Sequence, residues 1–110
     1  MDARTHVIEV GGEIDLYSAP ELKQRLLGVI DAGKRQVVVD LSEVTFIDST
    51  ALGVLVGAVK RLRSADGTLA LVCTKPSIAK VFETTGLERV FAIHATRADA
   101  LAAVAEPSSA

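Results

Sequence analysis

Apolar and polar residues along this chain follow two alternating patterns, one with the spacing of strands and one with the spacing of helices. The run V-V-V-D-L at 37–41 is apolar on both faces, which is typical of an interior strand of a parallel sheet, and L-A-L-V-C at 69–73 has the same character. The predicted strands are Val7 to Val10 and Glu13 to Leu16, which meet in a bulge or tight bend at Gly11-Gly12, followed by 37–41, 69–73 and Val90 to Ile93.

Helical spacing separates these strands, and capping residues mark where the helices begin and end. S-A-P-E at Ser18 indicates a capping box with a proline in the first turn, and Gly33 is placed to end that helix in a left-handed turn. The segment L-S-E-V-T-F-I at 41–47 is predicted to be a connection. The predicted helices run from Ser18 to about Ile30, along the apolar stripe from Leu52 to Leu62, from Pro76 to a stop at Gly86, and onward from Thr96.

This alternation of strands and helices predicts an α/β fold, with a single layer of mostly parallel sheet of four to five strands packed with about four helices. The crossover over 37–73 is expected to be right-handed. A chain of 110 residues closes one hydrophobic core, so we predict one domain over 1–105 and a disordered tail at 106–110.

Composition narrows the classes of function. The chain is 49% hydrophobic and 24% charged, and its 12 basic and 14 acidic residues are scattered, so a nucleic acid partner is not expected. No apolar run approaches the roughly 20 residues that span a bilayer, so we expect a cytoplasmic protein without membrane contact. Cys73 is the single cysteine, which excludes an intramolecular disulfide, and neither a metal site nor a cofactor is predicted.

The stretch I-D-S-T-A-L-G at 47–53 carries the candidate chemistry, because an acid and two hydroxyl residues precede a helix. One of Asp48, Ser49 and Thr50 is expected to cap that helix, which contributes about 1 kcal/mol. A catalytic Ser49 would need a nearby base, but the G-x-S-x-G turn is absent, and His6 and His94 lie in no recognisable motif.

A third interpretation makes Ser49 the substrate of a kinase. A hydroxyl in the first turn of a helix projects into solvent, and a phosphate there would gain the favourable end of the helix dipole. The fold would survive this modification, whereas a docked partner would lose a surface of small uncharged side chains such as Thr50, Ala51 and Gly53.

The same residues carry a resemblance to a known family. D-S-T-A-L-G-V-L at 48–55 resembles the phosphorylation motif of anti-sigma factor antagonists, the stand-alone bacterial members of the STAS domain family. G-E-I-D-L at 12–16, with the following S-A-P-E-L, resembles their other characteristic stretch. The resemblance covers roughly Val7 to Val104 and implies the STAS fold.

The resemblance also implies a mechanism of partner switching. The unphosphorylated protein is expected to bind an anti-sigma factor with serine kinase activity and to free a sigma factor, until the kinase phosphorylates Ser49. A PP2C-type phosphatase is expected to restore the binding form. The implied partner-binding residues are Asp15, Asp48, Ser49, Thr50, Ala51 and Gly53, with Thr50 a second candidate acceptor of phosphate.

Several alternatives stay open at this stage. The protein is interpreted as a regulatory binding protein and not an enzyme, either a monomer or a weak dimer. Within the family, a stressosome-type scaffold, a lipid-transport accessory subunit and the STAS domain of a sulfate transporter are the rival interpretations. A small serine hydrolase that uses Ser49 is the rival from a different class.

Overall fold

The computed structural model of the chain describes residues 5–104 and contains an alternation of strands and helices. The predicted tail at 106–110 lies outside the described residues. A short 3-10 helix, Leu87–Arg89, precedes the last strand. The main elements are β1 (Thr5–Ile14), α1 (Ala19–Asp31), β2 (Gln36–Ile47), α2 (Ser49–Ser64), β3 (Thr68–Val72), α3 (Pro76–Thr85), β4 (Ala92–His94) and α4 (Arg97–Val104).

The strands form one four-stranded sheet in the order β1-β2-β3-β4, and every neighbouring pair is parallel. β2 is interior, and successive residues on it face different helices. Val37 and Val39 belong to the core beneath α1, α2 and α3, whereas Val38 belongs to a smaller cluster beneath α4. The prediction of an α/β fold with a mostly parallel sheet and about four helices is therefore confirmed, and so is the prediction of a strand with two apolar faces.

α2 supplies the largest share of the helical contribution to the main core. Its buried side chains follow the predicted helical spacing, because residues three and four positions apart share one face. They are Ala51, Leu52, Leu55, Ala58, Val59 and Leu62. None of the helices described within residues 5–104 is long and apolar enough to cross a membrane.

The segment at 41–47, predicted to be a connection, instead continues β2. Its buried residues Leu41, Val44 and Ile47 are spaced by three rather than two, because the pairing with β1 shifts register between Glu9 and Gly11 and again after Gly12. Twelve residues of β2 thus lie beside ten of β1. Extra residues of this kind are β-bulges. Because they interrupt the strict alternation of apolar and polar residues, the sequence pattern did not predict this part of β2.

The start of α1 also differs from the prediction in its hydrogen bonds. Ser18 occupies the cap position but makes no side-chain cap bond, so the predicted capping box is wrong. Its hydroxyl oxygen instead accepts from the Asp15 amide at 2.9 Å, and its hydroxyl donates to the Glu13 carbonyl at 3.0 Å. Ser18 therefore closes the preceding turn rather than the helix.

The other predicted helix ends are confirmed. Gly33 follows α1 with φ 95°, and Gly86 ends α3 with φ 76°, both in the left-handed region that glycine adopts most readily. At the start of α4, the Thr96 hydroxyl oxygen accepts a hydrogen bond from the Asp99 amide at 3.1 Å. These local signals were sufficient because each depends on one or two neighbouring residues.

A buried carboxylate holds α4 against the sheet. Asp40 is 9% exposed and accepts hydrogen bonds from the amide and hydroxyl of Ser42 at 2.9 and 2.6 Å. Arg97 donates to Asp40 from Nε at 3.1 Å and from Nη2 at 2.8 Å, and it also pairs with Glu9. Burial alone would raise the pKa of Asp40. The hydrogen bonds from Ser42, the hydrogen bonds from Arg97 and the positive charge of Arg97 outweigh burial, so the pKa lies below its ordinary value.

We predict that Asp40→Asn lowers the free energy of unfolding by about 1 to 3 kcal/mol at pH 7, because it removes charge-assisted hydrogen bonds. A carboxyl whose pKa is lower in the folded state contributes stability that is complete above its unfolded pKa, about 3.9. That contribution is lost as pH falls through the folded pKa, so the deficit of the variant should shrink in acid. Urea unfolding at several pH values measures it.

The exposed carboxyl of Glu83 on α3 provides the control, because Glu83→Gln should leave the pH dependence of stability close to that of the parent protein. Equal losses for Asp40→Asn at pH 7 and in acid would contradict an ionic role for Asp40.

Candidate functional site

The carboxyl ends of β1 and β2 bring together the two sequence motifs. Ile14 pairs with Ile47 as the last step of the β1–β2 register, and the Asp48 amide donates to the Ile14 carbonyl at 3.1 Å. Neighbouring strands lie about 4.8 Å apart. The turn that begins at Asp15 and the helix that begins at Ser49 therefore leave the same edge of the sheet side by side.

Asp48 is the residue that caps α2. Its backbone is extended, with φ −107° and ψ −179°, and its carboxylate accepts a hydrogen bond from the Ala51 amide at 3.0 Å. The cap satisfies one of the amides that a helix start leaves without an internal partner. Of the three candidate caps in D-S-T, the acid alone performs this role.

Ser49 and Thr50 are the first two residues of α2, and both are exposed. Within residues 5–104, neither side chain makes a hydrogen bond or ion pair. Their hydroxyl groups stand at the positive end of the helix dipole, where negative charge is favoured. The Ser49 hydroxyl is thus accessible and has no structural role in the described part of the chain.

Asp15 organises the turn between β1 and α1. Its carboxylate accepts hydrogen bonds from the Tyr17 amide at 2.9 Å and from the Ser18 amide at 3.1 Å. The Ser18 amide is the largest cause that lowers the pKa of Asp15 below its ordinary value. Partial burial opposes it, and the Tyr17 amide and the Ser18 hydroxyl lower the pKa further. Asp15 is therefore an ionised residue whose carboxylate fixes the course of the chain ahead of α1.

The structure separates Ala51 from the other predicted site residues. Its side chain is fully buried in the main core. Ala51 therefore contributes to this edge of the sheet only through its amide, which donates to the Asp48 carboxylate. Gly53 is exposed one turn further along α2, and Asp48 is half-buried. The exposed side of the site consists of Ser49, Thr50 and Gly53, beside the turn at Asp15.

Sequence reasoning missed three large hydrophobic side chains near this edge. Tyr17 is 89% exposed, Leu16 is 59% exposed and Phe46 is 47% exposed. Leu16 and Tyr17 lie in the Asp15 turn, and Phe46 pairs in register with Glu13 at the end of β1. The sequence pattern did not signal their exposure, because Glu13 to Leu16 was predicted to be a strand and the bulged strand at 41–47 was predicted to be a connection.

The histidines are poorly placed to act as a base for Ser49. His6 pairs with Val37 at the amino end of β1, eight residues and about 26 Å along the strand from Ile14. His94 lies on β4, which β3 separates from β2. Within the described residues, the arrangement offers Ser49 a favourable electrostatic position and no hydrogen-bonded histidine.

We predict that Asp48→Ala lowers the free energy of unfolding by about 1 kcal/mol, because the Ala51 amide loses its acceptor. Ser49→Ala and Thr50→Ala should change it by less than about 0.5 kcal/mol, as expected of exposed residues without contacts. Urea unfolding of the three variants measures the difference. A loss for Ser49→Ala as large as that for Asp48→Ala would show that Ser49 has a capping role.

Comparison with known proteins agrees with this geometry. A model of the STAS domain family matches residues 2–100. The anti-sigma-B factor antagonist of Staphylococcus aureus (strain NCTC 8325 / PS 47) is 40% identical over 81 residues, which make up 74% of this chain and 75% of that protein. A crystal structure of an anti-sigma factor antagonist from Mycobacterium paratuberculosis is similar with a TM-score of 0.85 and 33% identity, and the alignment covers 94% of this chain and 88% of that one.

The anti-sigma factor antagonist SpoIIAA has been solved in two states that both resemble this chain. The unphosphorylated form aligns with a TM-score of 0.79 and 26% identity over 94% of this chain and 91% of its own. The phosphorylated form of the Bacillus protein aligns with a TM-score of 0.71 and 25% identity over 94% and 93%. Because the family model spans most of the chain and the parallel sheet with its four helices matches these structures, the chain belongs to the STAS domain family.

Proposed function

We propose that this protein is an anti-sigma factor antagonist that works by partner switching. Its unphosphorylated form binds an anti-sigma factor with serine kinase activity and so frees a sigma factor, and phosphorylation of Ser49 ends that complex. The observation that carries the proposal is the division of roles at the start of α2: Asp48 caps the helix, which leaves the Ser49 hydroxyl exposed. The names of the relatives, and the phosphorylated form of SpoIIAA, support it.

A phosphate on Ser49 changes the charge of this surface more than it changes the fold. It adds about −1.5 to −2 charges at pH 7 at the positive end of α2, where an anion is favoured. Thr50 and Gly53 beside it are exposed, small and uncharged, so a partner packed closely on them would bury the phosphate. Each loss of about 1.4 kcal/mol weakens binding tenfold, and an unpaired buried charge costs more than that.

Leu16, Tyr17 and Phe46 are the proposed apolar anchors of the same interface. Large hydrophobic side chains that stay exposed in the free protein mark binding sites when they cluster, and aromatic residues are enriched among those that dominate binding energy. The hydrogen bonds of Asp15 to the Tyr17 and Ser18 amides hold the turn that presents Leu16 and Tyr17. Asp15 thus acts on the interface through the turn that it fixes.

The remaining steps of the proposed cycle need other proteins. A PP2C-type phosphatase would remove the phosphate from Ser49, and the exchange of partners would take place in the cytoplasm. The antagonist itself has no catalytic step in this scheme. The distance of His6 from the Ser49 edge, and the position of His94 beyond β3, disfavour the alternative of a serine hydrolase.

A scaffold or adaptor of the stressosome or lipid-transport type is the second candidate. The exposure of Leu16, Tyr17 and Phe46 favours it to the same extent, because an apolar patch can serve a permanent contact without any modification. Phosphorylation of Ser49 distinguishes the two functions.

We predict that one phosphate is transferred to Ser49 when the protein is incubated with ATP and the serine-kinase-type anti-sigma factors of the same genome. Intact mass and peptide mapping detect it, and gel filtration should show loss of the complex. Ser49→Ala should bind its kinase without accepting phosphate, whereas Ser49→Asp should bind at least about tenfold more weakly.

Thr50→Ala is the matched control, since it removes the neighbouring hydroxyl and should still be phosphorylated. Equal binding by Ser49→Ala and Ser49→Asp would contradict the charge mechanism. Stable binding to a partner with no phosphate transferred by any of these kinases would favour the adaptor.

We also predict that Tyr17→Ala weakens the complex with the kinase about tenfold or more, as expected when an exposed aromatic anchor is truncated. The free energy of unfolding should stay within about 0.5 kcal/mol of the parent protein, because the ring packs on little in the free state. Calorimetric titration measures affinity, and Gln24→Ala on the exposed face of α1 serves as the control. An unchanged affinity for Tyr17→Ala would remove Tyr17 from the interface.

A further inference from the structure

A groove between α1 and α2 begins at Thr50 and Gly53 of the Ser49 site and continues along α2 beyond that site. It has a volume of about 570 Å³ and is open to solvent along its length. Its apolar part comes from both helices, and Thr50 lies at its α2 N-terminal end. The lining residues are Lys23, Leu26, Leu27, Thr50, Gly53, Val54, Gly57, Ala58 and Arg61. Thr50 to Arg61 spans eleven residues of helix, so the groove is about 16 Å long.

The charges that line the groove are both positive. Lys23 makes no ion pair within the part of the chain that the structure describes. Arg61 pairs with Asp31 at 3.0 Å, but both partners remain more than half exposed. Asp31 lies eight residues after Lys23 on α1, so Lys23 and the Arg61–Asp31 pair are offset by about 12 Å along the α1 axis, or roughly two helical turns.

The two glycines of α2 keep the middle of the groove free of side chains, and the fold itself does not require them. A Cβ atom at Gly53 or Gly57 would meet no atom within 4 Å. By contrast, a Cβ atom at Gly67 would lie 2.7 Å from the Arg35 carbonyl oxygen, so internal packing explains that glycine. Packing within the chain therefore does not explain Gly53 and Gly57. Each of them also makes the helix less stable than alanine would at the same position.

We propose that this groove binds an amphipathic helix of a partner protein. The apolar side of that helix packs on Leu27, Val54 and the surface of Gly57. Two acidic residues about two turns apart on its flanks pair with Lys23 and Arg61. The groove is open to solvent along its length, apolar along its floor and charged at its rim. These features suit an extended helix better than a compact ligand, because in helix-in-groove recognition the apolar face of a helix lies in a hydrophobic groove. This inference does not depend on phosphorylation of Ser49.

The test uses a synthetic peptide of about 20 residues, with leucines at the spacing of one helix face and one glutamate on each flank of that face, about two turns apart. Titration into ¹⁵N-labelled protein should shift the amide signals of Gly53, Val54 and Gly57 most strongly. A peptide with lysines in place of the glutamates should bind at least tenfold more weakly. Equal binding of the two peptides, no binding of the glutamate peptide, or shifts centred on Tyr17 and Phe46 would overturn the proposal.

Gly57→Gln supplies a variant that blocks the groove without a cost in folding. It should raise the thermal unfolding midpoint, because glutamine is a better helix former than glycine. It should also lower the affinity for the glutamate peptide at least tenfold. Lys60→Gln, exposed on α2 outside the groove, is the matched control and should bind normally.

Lys23→Glu should also lower the affinity for the glutamate peptide, whereas Lys80→Glu on α3 should leave that affinity unchanged. Full affinity in Gly57→Gln would overturn the proposal, as would self-association of the parent protein that Gly57→Gln abolishes, since a second copy would then be the occupant.

Discussion

The parallel pairing of β1 with β2 is the constraint on which the site depends, because it continues well beyond the end of β3. β3 accompanies β2 only as far as Asp40, whereas β1 follows it to Ile47. The two strands then end together. The hydrogen bond from the Asp48 amide to the Ile14 carbonyl joins the last residue of β1 to the residue that caps α2. A turn from one part of the chain and a helix start from another become neighbours for this reason.

Structural roles and the proposed functional role at this edge belong to different residues that stand next to each other. The carboxylates of Asp15 and Asp48 are engaged by backbone amides, so they shape the turn and the start of α2. The Ser49 hydroxyl is left without such a role and can change its chemistry without loss of a cap. On the far face of the sheet, Arg97 and Asp40 anchor α4 by an ion pair that does not touch the Ser49 edge.

The sequence sufficed for features that a regular residue spacing or a short motif determines. Helical spacing, the glycine at 33 and the family motif around Ser49 gave the α/β fold and the candidate residue. Features that depend on distant pairing or on the direction of a side chain could not be obtained in this way. The bulges that extend β2 arise from its register with β1, and the backward hydrogen bonds of Ser18 arise from the shape of the turn. Nor could the sequence tell which of D-S-T caps α2, because that depends on the direction of the Asp48 carboxylate.

The two proposed surfaces meet at one helix terminus, and this gives them a physical connection. Thr50 lines the end of the α1–α2 groove, and its neighbour in the chain is Ser49. A phosphate on Ser49 would add about −1.5 to −2 charges beside an acidic helix docked there. Surface charges separated by less than a Debye length of about 10 Å still repel each other at moderate ionic strength. One modification at the start of α2 would therefore oppose contacts on both surfaces, although only one of them includes the modified residue.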